Sequence, residues 1–213
     1  MRRNPGFAVT AILTFATGIG ANAAIFNLLH AVILRSLPVP DAEQLRLFSV
    51  IRDNEAGESG SSYPVLRQMQ GAAGEQAPLA GFSAISTMKT AGANGGLEPM
   101  DTQLVTGNVF DVLGVKAQAG HLLSASDDNL ASAYPAVLSG AFWAKHFGSD
   151  PSALGRFITV NDTPIRIIGV APASFFGVAP GNRPDVWLPA AAQHDLRYNT
   201  NVWNSNGNSA NRF

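Results

Sequence analysis

The residues that could do chemistry are few and stand apart. His30, His121, His146 and His194 are the only histidines, and no two sit at the i, i+4 spacing that puts both imidazoles on one helix face around a metal. Asp127-Asp128 offers two carboxylates to a cation, but in a run of small polar residues a solvated turn is the stronger reading. Ser139 lies in Leu138-Ser139-Gly140, which lacks the flanking glycine of a nucleophile elbow, so it reads as a helix cap. Gly18, Gly20 and Ala23 fit G-x-G-x-x-A, yet that fingerprint needs a preceding strand and a polar turn, and both flanks here are apolar and helical. Asn161-Asp162-Thr163 is a formal glycosylation sequon that reads better as a turn. No phosphate-binding loop is present, so any ATP belongs to a separate chain. Catalytic, cofactor-binding and metal-ligating sets are therefore all expected to be absent, and the chain reads as a non-enzyme.

Composition narrows the classes further. There are no cysteines, which excludes disulfides and thiolate metal sites. Charged residues make up 14% of the 213, with no basic stripe, which argues against a nucleic-acid partner. Arg2 and Arg3 stand at the start; the remaining 12 basic and all 15 acidic residues lie beyond Leu34, giving that part a net −3.

The positioning element is Phe7 to Leu34, 28 residues without Asp, Glu, Lys or Arg. As a helix it reaches about 42 Å, more than the ~30 Å hydrocarbon core of a bilayer. Asn4 suits an N-cap and Pro5 the first helical position. Arg35 favours the negative helix end, and Leu37-Pro38 stops the helix. Arg2 and Arg3 place the N-terminus in the cytoplasm and the rest outside. Three other readings compete: a cleaved signal peptide with Ala21-Asn22-Ala23 as its site, the nucleotide loop above, and a buried helix of a soluble protein. Cleavage would leave the last eleven residues of the apolar run at a new terminus, so an uncleaved anchor is expected. Ala16, Gly20 and Ala24 lie four apart, as do Thr14, Gly18 and Asn22. Such small residues let membrane helices approach closely, so Ala16, Gly18, Gly20, Asn22 and Ala24 are the expected helix-packing face. One continuous helix from Pro5 to about Leu34 is expected despite the glycines.

Beyond the span, period-2 runs alternate with short helices, the pattern of a mixed, mostly antiparallel α+β domain. Leu45 to Ile51 predicts a first strand and Arg52 to Ser61 a loop. Ser62 caps a helix whose Val65, Leu66 and Met69 face inward. Leu79 to Thr90 and Leu97 to Thr106 predict an antiparallel pair turning through Gly92 to Gly96. Val109, Phe110 and Leu113 share a face of a short helix stopped by Gly114. Gly120 to Ala133 predicts a surface loop, Ala136 to Ser139 a buried strand, and Gly140 to Phe147 a helix with Lys145 and His146 solvated. Pro151 to Leu154 adds a turn, Arg156 to Val170 a hairpin through Asn161 to Pro164, and Asp185 to Pro189 a last strand. Tyr198 to Arg212 is rich in Asn, Ser and Gly and is expected to be poorly ordered alone.

These residues resemble a family. The stretch from Arg2 to Asp41 is similar to the first membrane span of MacB-type ABC transporter permeases, in the branch with many orphan members from Acidobacteria. SYP (Ser62 to Pro64), VTGNVFDVLGV (Val105 to Val115), the run Ala136 to Pro172 and DVWLP (Asp185 to Pro189) follow in the order of its periplasmic core domain. The resemblance implies residues 1–36 as a transmembrane helix, 37–197 as an incomplete periplasmic core domain and 198–213 as a tail. It also implies a Gram-negative inner-membrane location, a separate ABC ATPase subunit, further permease spans, a homodimer in the full-length form and a periplasmic adaptor. Family members carry a cytoplasmic helix before the first span and at least three spans after the domain, so the chain reads as a fragment. The expected role is a permease segment that transmits motion during export and catalyses nothing. The alternative is a membrane-anchored periplasmic binding or interaction module, whose mark would be an exposed aromatic cluster from Trp143, Trp187 and Trp203. An exported hydrolase is a third, weaker reading.

Overall fold

With no charged side chain to interrupt it, the N-terminal run forms one unbroken helix, α1, Pro5–Ile33 (29 residues). Glycine costs about 1 kcal/mol in a helix interior, and Gly18 and Gly20 leave the hydrogen-bond ladder intact. Within it Gly6–Phe26 has a mean hydropathy of 1.6 and buries none of its side chains in the structure, which makes it long and apolar enough to cross a membrane. This computed structural model describes residues 5–33, 39–40, 42–48, 62–74, 76–91, 96–178 and 183–196. The expectations for Arg2 to Asn4, for the exit at Arg35 to Pro38, for the loop 52–61, for turn residues 92–95 and for the tail with Trp203 lie outside the described residues. The chain divides into two units, Met1–Leu37 and Pro38–Phe213, each described by itself.

Among the described residues, the second unit is built on seven strands: β1 Ser86–Ala91, β2 Leu97–Val105, β3 Ala119–Gly120, β4 Tyr134–Leu138, β5 Phe157–Val160, β6 Thr163–Val170 and β7 Val186–Pro189. Their order is β3-β6-β4-β7-β2-β1-β5, and β5 pairs again with β6. Six strands thus form a closed circuit, a small mixed barrel, with β3 attached to the end of β6. Pairings β2–β7 and β4–β6 are parallel and the other five are antiparallel. This is the mixed, mostly antiparallel α+β architecture expected from the sequence.

Alternation fills the interior. Met88, Met100, Leu104, Tyr134, Leu138, Val160, Ile165, Ile167, Val186 and Leu188 point into one cluster. Helix α4, Gly140–Phe147, adds Phe142 and Trp143 to it. As the sequence suggests, Ser139 caps α4: its Oγ accepts from the Phe142 N–H at 3.1 Å. The outer face of the barrel is covered at β7, where Trp187 meets Phe110 and Phe175 at ring separations of 5.9 and 5.3 Å. Phe110 comes from helix α3, Val109–Val112. Its end is a Schellman arrangement, with Val115 N–H donating to Phe110 C=O and Gly114 at φ 65. Covered on both faces, all four residues of β7 are buried.

The hairpin turn is tighter than the four residues read from the sequence. Asn161 and Asp162 alone form it, at φ 46 and 67, the type I′ geometry that suits two antiparallel strands. Other expectations need correction. Residues 45–48 form no strand, and Leu47 and Phe48 are 73% and 70% exposed: alternation gives a strand only where an edge is free to pair. Helix α2, Tyr63–Ala73, starts where expected, but Ser62 makes no side-chain cap bond and Val65 faces solvent. The first strand of the antiparallel pair begins at Ser86; before it only Phe82 bridges, to Val105. The loop 120–133 contains the turn Ala125–Asp127 and a buried carboxylate.

Candidate functional site

Two places hold the residues singled out by the sequence. The first is α1. Ala16, Gly18, Gly20, Asn22 and Ala24 are all exposed, and nothing lies within 4 Å of a Cβ built on Gly18 or Gly20. At about 100° per residue, two positions differ by about 200° around the axis. The row Ala16, Gly20, Ala24 and the row Thr14, Gly18, Asn22 therefore occupy opposite sides of the helix, so they are two faces and not one. The threonines are bound into the helix itself: Thr14 Oγ1 donates to Thr10 C=O at 2.9 Å and Thr17 Oγ1 to Leu13 C=O at 2.8 Å. Their hydroxyls can then only accept from a neighbouring helix.

The second place is a polar knot against the barrel, which the sequence reading divided among separate motifs. Tyr63, from SYP, donates its hydroxyl to Asp128 Oδ2 at 2.8 Å, and the Ala191 N–H donates to Asp128 Oδ1 at 3.1 Å. The Gly107 N–H, from VTGNVFDVLGV, also favours the ionised Asp128. Burial nevertheless dominates and pushes the Asp128 carboxyl above the usual carboxylate range. Burial and the Asp128 charge likewise hold the Tyr63 hydroxyl above the ordinary phenol range. Thr106 and Asn108 complete the knot: Thr106 Oγ1 accepts from Gly81 N–H at 2.9 Å, and Asn108 Nδ2 donates to Leu79 C=O at 2.9 Å. A Cβ on Gly107 would collide with the Ser124 carbonyl, so glycine is required there for close approach.

The knot borders a cleft of about 230 Å³, lined by Arg67 and Gln70 of α2, by Gly74 at its C-terminal cap, and by Leu79, Gly107, Asn108 and Asp128.

The remaining candidates do structural work. Asp127 and Asp128 do not converge: Asp127 Oδ2 accepts from the Ser124 N–H at 2.8 Å, closing a capping box, while Asp128 turns inward. The solvated-turn reading therefore fails for Asp128. His121 is exposed. His146 is not solvated as expected; it stacks on Phe142 at 4.1 Å and stands 3.7 Å from Glu98. The side chains of His30 and His194 lie outside the described residues. Among the described residues no three His, Cys, Asp or Glu side chains gather as a metal would require. Trp143 and Trp187 are buried, so they offer no aromatic surface to a binding partner. No signal in the sequence marks Tyr63 or Asp128 as a pair, because 65 residues separate them.

A family model, the MacB-like periplasmic core domain, matches residues 8–211. The chain belongs to that family. As a MacB-like periplasmic core domain it is part of a MacB-type ABC transporter permease. The fold is similar to that of a solved structure. The extracellular domain of the noncanonic ABC-type transporter YknZ from Gram-positive bacteria superimposes at a TM-score of 0.53 and 18% identity, over 72% of this chain and 76% of that one. The periplasmic region of MacB from Actinobacillus actinomycetemcomitans gives a TM-score of 0.49 at 17% identity, over 70% and 66%. No curated protein sequence matches the chain.

Proposed function

We propose that this MacB-like domain transmits motion in export, driven by ATP hydrolysis on a separate ABC ATPase subunit, and carries no catalysis or cofactor of its own. In this reading α1 crosses the inner membrane with its N-terminus in the cytoplasm, and the barrel works in the periplasm. The observation that carries it is the combination, in one chain of this family, of an unbroken 29-residue apolar helix with a domain whose strands close on themselves. A mechanical element needs stiffness more than reactive groups, and the titratable groups of the knot are committed to internal hydrogen bonds. The two small-residue rows of α1 serve as contacts for neighbouring spans, from other permease helices and from the second copy of a homodimer. A periplasmic adaptor is the proposed recipient of the movement.

The absence of cysteine makes the test clean. Exposed Leu130 is replaced by a single cysteine and spin-labelled in the transporter assembled with its ATPase. The distance between the two labels is expected to change when the nucleotide cycle is trapped. The same distance distribution in nucleotide-free and trapped states overturns the reading.

A further inference from the structure

We propose that α2 is a strap that can leave the barrel as a unit, and that the hydrogen bond between Tyr63 and Asp128 is its clasp. The barrel strands are held by ladders; β7, for example, lies between β2 and β4. By contrast, α2 is fastened by side chains on one stripe. Tyr63 reaches Asp128, Leu66 packs on Gly81, and Gln70 Nε2 donates to Leu79 C=O at 2.8 Å. These positions fall at i, i+3 and i+7, and Tyr63 and Leu66 are the only buried residues of the helix. The fit is incomplete at both ends. At the start, Ser62 Oγ is buried with no hydrogen-bond partner among the described residues, a group that gains a partner if the helix lifts. Toward the other end, a cleft lined by Arg67, Gln70 and Gly74 opens beside the Gln70–Leu79 bond. An element with few buried contacts and side-chain fastenings opens before the ladders do. Asp128 is the natural clasp because it also holds Ala191, next to β7, so losing Tyr63 frees α2 while the barrel keeps its own bond.

As a device of transport this rests on the mechanical reading above; as a property of the fold it stands on the geometry of α2. The experiment is amide hydrogen exchange on the full chain in lipid nanodiscs. In the unaltered chain, α2 amides are expected to exchange faster than those of β4 and β7. Tyr63→Phe is expected to speed α2 about tenfold or more, the value of one hydrogen bond to a charged acceptor, with β4 and β7 remaining the slower elements. Equal exchange in α2 and the strands of the unaltered chain, or α2 exchange that Tyr63→Phe leaves unchanged, overturns the proposal.

A second variant tests the role. Leu66 Cγ lies 3.4 Å from where a Cβ on residue 81 would stand, so Leu66→Cys with Gly81→Cys can form a disulfide that pins α2. Export by the assembled transporter is expected to stop on oxidation and return on reduction. Export that continues through the closed disulfide overturns the strap's role in transport. A transporter whose Leu130 labels never move with nucleotide, pinned or not, overturns the mechanical reading and leaves the exchange result to decide the strap.

Discussion

Asn161 and Lys89, 72 residues apart, close the barrel: the Asn161 N–H donates to the Lys89 C=O at 3.0 Å, and the Asn161 Oδ1 accepts from the Lys89 N–H at 3.2 Å. Asn161 Nδ2 adds a third bond to the Leu196 C=O at 3.2 Å. One turn residue thus joins β5 to β1, where Thr90 opposite Val160 is the single register pair.

Asn161→Ala removes two side-chain hydrogen bonds, each about 1 kcal/mol, and puts a Cβ residue without a local hydrogen bond at φ 46. Left-handed backbone adds roughly 1–2 kcal/mol for such a residue. A total loss of about 3–4 kcal/mol is expected, measured by denaturation of the full chain in detergent with tryptophan fluorescence. Asn161→Gly keeps the backbone relaxed and should lose roughly half as much. Equal losses for the two variants would show that backbone strain contributes nothing here.

Tyr63→Phe removes one hydrogen bond to a carboxylate, at a cost of about 1.5–3 kcal/mol. Asp128→Ala strands the Tyr63 hydroxyl and the Ala191 N–H and should cost more. Because burial raises the folded Asp128 pKa, the stability this group contributes is complete below its unfolded value of 3.8 and is lost as pH rises through the folded value. Asp128→Asn removes that titration. Its stability relative to the parent chain is expected to be better at neutral pH than at pH 4, read from urea midpoints at the two values.

Two of the three tyrosines should resist alkali. Burial raises Tyr63 and Tyr134 above the ordinary 10.0, and the Tyr134 hydroxyl donates to Asp195 Oδ2 at 2.7 Å. A raised phenol contributes stability that is whole below pH 10 and is lost as pH climbs through the folded value. Tyrosinate absorbance from Tyr63 and Tyr134 is therefore expected to appear only with loss of structure. Three tyrosines titrating together before unfolding would contradict the burial of this pair.

The two rows of α1 can be separated. Gly20→Leu fills one side of the span and Gly18→Leu the other. Leucine is fully compatible with the bilayer, so insertion should persist in both, tested by an alkaline phosphatase fusion after Leu196 that is active only outside the cytoplasm. Assembly with other spans, read by cross-linking in membranes, is expected to weaken in each variant whose row meets a neighbour. Unchanged cross-linking in both would remove the small residues from any contact role.

Local chemistry was legible in the sequence. A run free of charge has one solution in lipid, a helix, because each unpaired backbone group there costs several kcal/mol; that logic gave α1. Ser139, Gly114 and Gly148 mark helix ends through bonds within a few residues, and Asn161-Asp162 marks a hairpin because both tolerate positive φ. Only the tertiary structure decided which strands meet. Residues 45–48 alternate as well as many strands yet pair with nothing among the described residues, whereas the short run Val186–Pro189 became a central strand. Pairing depends on which edge the rest of the chain leaves open, and alternation does not encode that. Asp128 shows the same limit in a side chain. On a loop of small polar residues it reads as solvated, and it is buried because Tyr63 and Ala191, each more than sixty residues away, bring donors to it.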